Sequence, residues 1–241
     1  MIVRDEHRQR GHRVRLEWGA EGVGVLAADC AVVVVVDVLS FSTCVDVATA
    51  RGVDVLPMPR RDAAAAEAAG AVLAGPRRSS GPSLSPASLR TLPGGTRLAL
   101  PSPNGSTLCA LAAATGTATV FAGCLRNASA VAAAAAEVAG DGAIGLVPAG
   151  ERWPDGTLRV AVEDLLGAAA IAAALDGRSP EAELAVAQFR AVADRLPAVL
   201  AELSSGRELV ADGFAEDVAI AAAHDTSDTA PRLVDGLLRR S

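Results

Sequence analysis

Five consecutive valines, Val32 to Val36, run straight into Asp37 in the stretch AVVVVVDVLSFSTCVD, Ala31 to Asp46. A β-branched run of this length without alternation predicts a strand buried on both faces, as at the centre of a parallel sheet covered by helices. A short loop follows Asp37, and Ser42 or Thr43 opens a helix that runs to about Arg51 and is stopped by Gly52. Open α/β sheets bind their ligands at such points, outside the carboxyl ends of the strands.

The rest of the chain repeats this unit. His12 to Trp18 alternates as a first strand, possible at an edge, and Ala20 to Ala28 reads as a short helix. Val53 to Pro57 is a short strand and Asp62 to Ala74 an alanine-rich helix interrupted by Gly70. From Arg97 the order is RLALPS strand, PNGST turn and Leu108 to Ala114 helix, then TATVFAG strand, CLRN turn and Ala128 to Ala139 helix. The strand AIGLVPAG follows, with Glu151 and Arg152 in its C-terminal loop, then a helix from Val162 to Leu175. Glu181 to Ser204 reads as one long amphipathic helix containing Pro197, and Phe214 to His224 as a last helix. Gly75 to Leu92, rich in Ser, Pro and Gly, has no period and is either a disordered loop or an active-site loop.

Alternating strands and helices predict an α/β fold of three layers, α/β/α, around a mostly parallel sheet with right-handed crossovers. The expected organisation is one domain over 1–241, or two intimately packed α/β halves, with 1–11 as a mobile arm. Such a sheet carries its strand-to-helix loops along one edge, so Asp37, Asn104, Asn127 and Glu151 should converge on one cleft.

Composition removes several function classes. There is no lysine, so no Schiff base or P-loop lysine exists, and the three histidines are His7, His12 and His224. A Ser-His-Asp hydrolase or a histidine metal site therefore has little to build on. A net charge of -6 with two Trp, four Phe and no Tyr argues against nucleic-acid binding. No apolar run reaches the roughly 18 to 20 residues of a membrane span, and the basic N-terminus is followed by no apolar signal core. Cys30, Cys44, Cys109 and Cys124 fit no CxxC spacing and read as buried free thiols of a cytoplasmic protein.

The loops carry the chemistry. Asn104, Gly105 and Ser106 lead into one helix, Asn127 and Ser129 into another, and Ser42 and Thr43 into a third; capping explains each alone, while three on one edge suggest a phosphate site. Asp37 with Glu163 and Asp164 supplies carboxylate oxygens suited to Mg²⁺, although two acids in a helix first turn also favour the helix dipole. Arg126 and Arg152 lie in the same loops and can either clamp phosphate or remain solvated. The second aspartate of a DxD signature is missing, and no GxGxxG follows the first strands.

Read together, these pieces resemble the ComB family, the Mg²⁺-dependent 2-phosphosulfolactate phosphatases. The resemblance rests on Asp37-Val38-Leu39 with Ser42-Thr43, Ser102-Pro103-Asn104-Gly105-Ser106, Asn127 to Ala132, Ala149-Gly150-Glu151, Glu163-Asp164 and Glu216-Asp217. It implies a cytoplasmic phosphatase of a small anionic phosphoester. Asp37, Glu163 and Asp164 would be catalytic and metal-binding, and Ser42, Thr43, Asn104, Gly105, Ser106, Arg126, Asn127, Glu151 and Arg152 would bind substrate. An inactive relative that binds an anionic metabolite or a protein is the alternative, and the alanine-rich helices suggest a homodimer. Three positions depart from the family pattern: Ser40 stands where an arginine is usual, Gly75-Pro76-Arg77 replaces Gly-Glu-Arg, and Ser83-Leu84-Ser85-Pro86 replaces Gly-Asn-Ser-Pro. Arg77 and Arg78 are candidates to restore the lost guanidinium.

Overall fold

A computed structural model describes residues 4–241 of the chain, so 1–3 of the expected arm lie outside the described residues. The valine run forms β2 (Val32–Val36), buried at every position. It lies parallel between β6 (Thr119–Gly123) and β7 (Ile144–Pro148). Beyond β7, β1 (Val14–Leu16) closes that side of the sheet, also in parallel. A second parallel group consists of β3 (Asp54–Met58), β5 (Arg97–Pro101) and β4 (Val72–Leu73).

An antiparallel hairpin joins the two groups. β10 (Pro231–Val234) pairs with β6, β11 (Leu237–Arg240) pairs with β3, and the strand order is β1-β7-β2-β6-β10-β11-β3-β5-β4. The sheet is therefore mixed at its middle, where sequence patterning had offered no strand. Its signal was present in Asp235-Gly236, which turns with φ of 50° and 78°. An Asp-Gly pair at positive φ between apolar runs is the two-residue turn that matches the twist of adjoining strands.

Side-chain alternation on β2 builds the three layers. Val32, Val34 and Val36 enter a core with α6 (Ala128–Ala139), α7 (Val162–Ala173) and α8 (Pro180–Arg190). Val33 and Val35 enter the opposite core with α1 (Gly19–Leu26), α2 (Phe41–Thr49) and α5 (Gly105–Ala114). Each buried valine contributes roughly 1.5–3 kcal/mol.

Several boundaries differ from the sequence expectation, each for a local reason. The helix expected over Asp62 to Ala74 is α3 (Ala63–Ala68), capped by the Asp62 carboxylate, which accepts from the Ala65 N–H at 2.9 Å. Gly70, at φ 62°, turns the chain, and β-branched Val72 enters edge strand β4. The single helix expected over Glu181 to Ser204 is α8, then α9 (Leu196–Glu202) with Pro197 in its first turn, then α10 (Ser204–Ala211). Proline fits a first turn because its missing N–H has no intrahelical acceptor there. The last expected helix is α11 (Ala215–Ala221).

The 75–92 segment is ordered and contains α4 (Pro86–Leu89). Asp217 on α11 pins it, accepting from Ser85 Oγ at 2.7 Å and the Ala87 N–H at 3.1 Å. In the described part of the arm, Arg8 and Arg10 pair with Asp29 and the Gln9 side chain is buried. All four cysteines are buried and free. Among the described residues no helix is long and apolar enough to cross a membrane.

Candidate active site

Asp37 leaves the end of β2 and turns its carboxylate onto the first turns of two helices. Oδ1 accepts from the Phe41 N–H of α2 at 3.2 Å, and Oδ2 from the Gly105 N–H of α5 at 2.8 Å. Ser102 Oγ adds a longer contact to Oδ2 at 3.4 Å. The N-termini expected to hold a substrate anion thus already hold a carboxylate of the protein. The close approach requires glycine at 105, because a Cβ there would stand 2.8 Å from Asp37 Oδ2 and overlap the Phe41 ring.

A second buried carboxylate, Asp164, ties two loops together. Its Oδ1 accepts from the Val38 N–H at 2.7 Å and its Oδ2 from the Gly150 N–H at 2.9 Å, joining the ends of β2 and β7 to α7. Glu163 beside it is 2% exposed. Glu151, in the short hairpin of β8 (Glu151–Arg152) and β9 (Leu158–Arg159), pairs with Arg159, which also donates to Ser205 Oγ at 3.0 Å.

Burial raises all three carboxylates, and neighbouring negative charges add to it. Burial pushes Asp37 up to about 6, partly offset by the Gly105 and Phe41 amides, with Glu151 raising it further. Burial and then the charges of Asp37 and Glu163 hold Asp164 well above the ordinary range. Glu163 is raised chiefly by burial, with the Ser205 hydroxyl opposing. Like charges gathered in a desolvated spot favour a bound cation or a shared proton.

A family model for 2-phosphosulpholactate phosphatase matches residues 25–236, spanning all of these loops. The chain belongs to this family. Membership makes it a phosphoric monoester hydrolase. No curated protein matches the chain at a significant level.

The residues singled out in sequence divide into four groups. Asp37, Gly105, Glu163 and Asp164 form the buried centre, and Asn104, Glu151 and Arg152 line an adjoining cleft of about 510 Å³ beside α1. Ser42, Thr43 and Ser106 face inward instead. Ser42 Oγ accepts from the Asp37 N–H at 3.0 Å and donates to Val35 O, Thr43 Oγ1 donates to Val38 O, and Ser106 Oγ donates to Leu100 O. These hydroxyls serve the loops that carry Asp37.

Arg126 and Asn127 are engaged elsewhere. Arg126 Nε donates to the fully buried Asp46 at 2.7 Å, and the residue lines a different cleft, along α2 and α11. Asn127 Oδ1 accepts from the Cys124 N–H at 2.9 Å, while its buried Nδ2 has no partner. The α6 N-terminus is met by Asp225, which accepts from the Ser129 N–H at 2.8 Å.

Sequence reasoning passed over Arg159 and Ser205; it quoted Ser102 and Asp217 only within matching motifs, and it named Arg77 as a candidate to restore the lost guanidinium. Arg77 Nη1 pairs with Asp217 at 2.6 Å, and its Nη2 donates to Ser40 Oγ at 3.0 Å. A guanidinium therefore reaches the position where the family pattern has arginine. The available signal was compensation, an arginine in the neighbouring motif beside a lost one.

The donor set suits a hard cation. Among the described residues, no three His, Cys, Asp or Glu side chains gather around one point to hold a metal ion. Mg²⁺ is ordinarily held by only one or two carboxylates, with phosphate and water completing the shell. Asp37 with Glu163 or Asp164 fits that requirement, since Asp37 Oδ1 and both oxygens of Asp164 each accept a single amide N–H and keep a lone pair.

Proposed function

We propose that the chain is a Mg²⁺-dependent phosphatase acting on a small anionic phosphate monoester of the 2-phosphosulfolactate kind, releasing an alcohol and phosphate. The observation that carries this reading is the set of buried carboxylates, Asp37, Glu163 and Asp164, crowded at the carboxyl end of the central parallel strand. Asp37 and one of the α7 pair would hold Mg²⁺. Bound there, the ion would supply charge neutralisation for the phosphoryl group.

The chain's own groups do the positioning. The Phe41 and Gly105 amides hold the Asp37 carboxylate in one orientation. Asp164 keeps the β2 and β7 loops at fixed spacing through Val38 and Gly150. Arg77, paired with Asp217 and donating to Ser40 Oγ, ties the 75–92 segment to the loop after β2. Rate enhancement then comes mainly from positioning and fixed charge, with little covalent chemistry by the protein. The four buried free thiols support a reducing, cytoplasmic setting.

Phosphate release from a panel of small phosphoesters, with Mg²⁺ and with chelator, tests the reading. Turnover should require the metal, and Asp37→Asn should lower kcat/KM by at least about 100-fold, the scale of several kcal/mol of charge stabilisation. No turnover of any ester, with phosphate still bound, would favour an inactive binding relative.

A further inference from the structure

A basic cleft opens beside the acidic centre. Arg60 and Arg61, from the turn after β3, line about 340 Å³ together with Arg77, Leu84 and Ser102. Ser102 is shared, since it lines this cleft and its Oγ reaches Asp37 Oδ2 at 3.4 Å. The cleft therefore adjoins the point at which the phosphoryl group would be handled.

The three arginines are not equivalent. Arg77 is committed to Asp217 and Ser40. Arg61 Nη1 donates to the Ala74 carbonyl at 2.6 Å, which steadies the guanidinium without neutralising it. Among the described residues, neither Arg60 nor Arg61 makes an ion pair within 4.0 Å. The rim is stiffened by Pro59, Pro101 and Pro103, whose fixed φ leaves little backbone freedom to lose on binding. Both are exposed residues, so in a chain of net charge -6 two guanidinium groups without an ion-pair partner line one proline-lined cleft.

We propose that Arg60 and Arg61 are specificity-determining residues: they hold a second strong-acid group of the substrate, a sulfonate or a carboxylate, while the phosphate lies at the Asp37 end. This rests on the phosphatase reading above for the phosphate and for the presence of a second acid, which a substrate of the 2-phosphosulfolactate kind carries; the assignment of that acid to Arg60 and Arg61 rests on the cleft. A guanidinium fork matches the planar face of a carboxylate and two oxygens of a sulfonate equally well. Discrimination by such a pair is large because an ester lacking the second acid leaves the arginines without a counter-charge.

The test uses methanesulfonate and acetate as probes on the full chain in chelator, titrated by calorimetry, so that no turnover is needed. Wild type should bind at least one of them, Arg60→Ala/Arg61→Ala should weaken that binding at least tenfold, and Arg60→Lys/Arg61→Lys should restore part of it. Arg195→Ala/Arg207→Ala, which removes two exposed guanidinium groups elsewhere, should leave the affinity within about twofold. Equal affinity in wild type and Arg60→Ala/Arg61→Ala, equal loss in the two alanine pairs, or binding of neither probe by wild type overturns the proposal. In active protein, the ratio of kcat/KM for an ester with a second acid to that for one without should fall at least tenfold in Arg60→Ala/Arg61→Ala. Probe binding that depends on Arg60 and Arg61 in a protein that hydrolyses nothing would leave the subsite standing while removing the phosphatase reading.

Discussion

Two sets of buried aspartates differ in what the protein sets against them. Asp46 is fully buried on α2, yet it receives Arg126 Nε at 2.7 Å and the hydroxyls of Ser227 and Thr229. Asp217 on α11 receives Arg77, Ser85 Oγ and the Ala87 N–H. Asp37 and Asp164, buried to the same degree, receive only amide N–H groups and one distant hydroxyl. The first set is neutralised internally and joins distant segments. The second is held in place but given no counter-charge by the protein, the arrangement expected of a cation or phosphoryl site rather than of a structural ion pair.

The comparison can be broken at its structural end first. Asp46→Ala leaves Arg126 without its partner, along with two hydroxyls, and should cost about 3–5 kcal/mol by chemical denaturation. A loss under about 1 kcal/mol would mean that Asp46 is no more structural than Asp37.

The acidic end should respond to pH. Asp37 is raised from 3.8 to about 6, so the folded state binds its proton more tightly than the unfolded state. Its contribution is fully present below the unfolded value and is lost as pH rises through 6. In chelator, stability should therefore increase as pH falls from about 7.5 to 5, by about 1.4 kcal/mol from this group, roughly half of the full effect that is reached below the unfolded value. A melting temperature that falls steadily over that range would contradict the assignment of Asp37 to the unneutralised set.

The contact between them is sharpened by Gly105→Ala. The added methyl presses on the Asp37 carboxylate and the Phe41 ring, so a cost of about 1–3 kcal/mol is expected from overpacking, with phosphatase activity falling further than stability. Unchanged activity would show that the seat of Asp37 tolerates displacement.

Much of the architecture is legible from local pattern. The valine run has no polar face, so β2 has to be central, and the repeating strand, loop and helix units force parallel pairing with the loops on one edge. Asp37 at the end of that strand follows directly, as does the neighbouring pair Glu163 and Asp164 at a helix start. The 3.6-residue pattern could not locate the breaks within Glu181 to Ser204, because apolar periodicity continues across a proline that merely begins the next helix. The central hairpin was missed although Asp235-Gly236 announced it.

The site divides in the same way. Which residue types stand at the strand ends is written in the chain; which of them are already satisfied is not. Ser42, Thr43 and Ser106 look like anion ligands until their hydroxyls are seen donating to nearby carbonyls. Arg126 looks like a phosphate clamp until Asp46, 80 residues away, takes it, and Arg77 becomes relevant because Asp217, 140 residues away, aims it at Ser40. Sequence alone determined the layers, the central strand and the carboxylate at its end, because these depend on hydrophobic period and chain order. Only the tertiary structure decided which buried charges are paired, because a charge partner is chosen by proximity in space, to which sequence separation gives no guide.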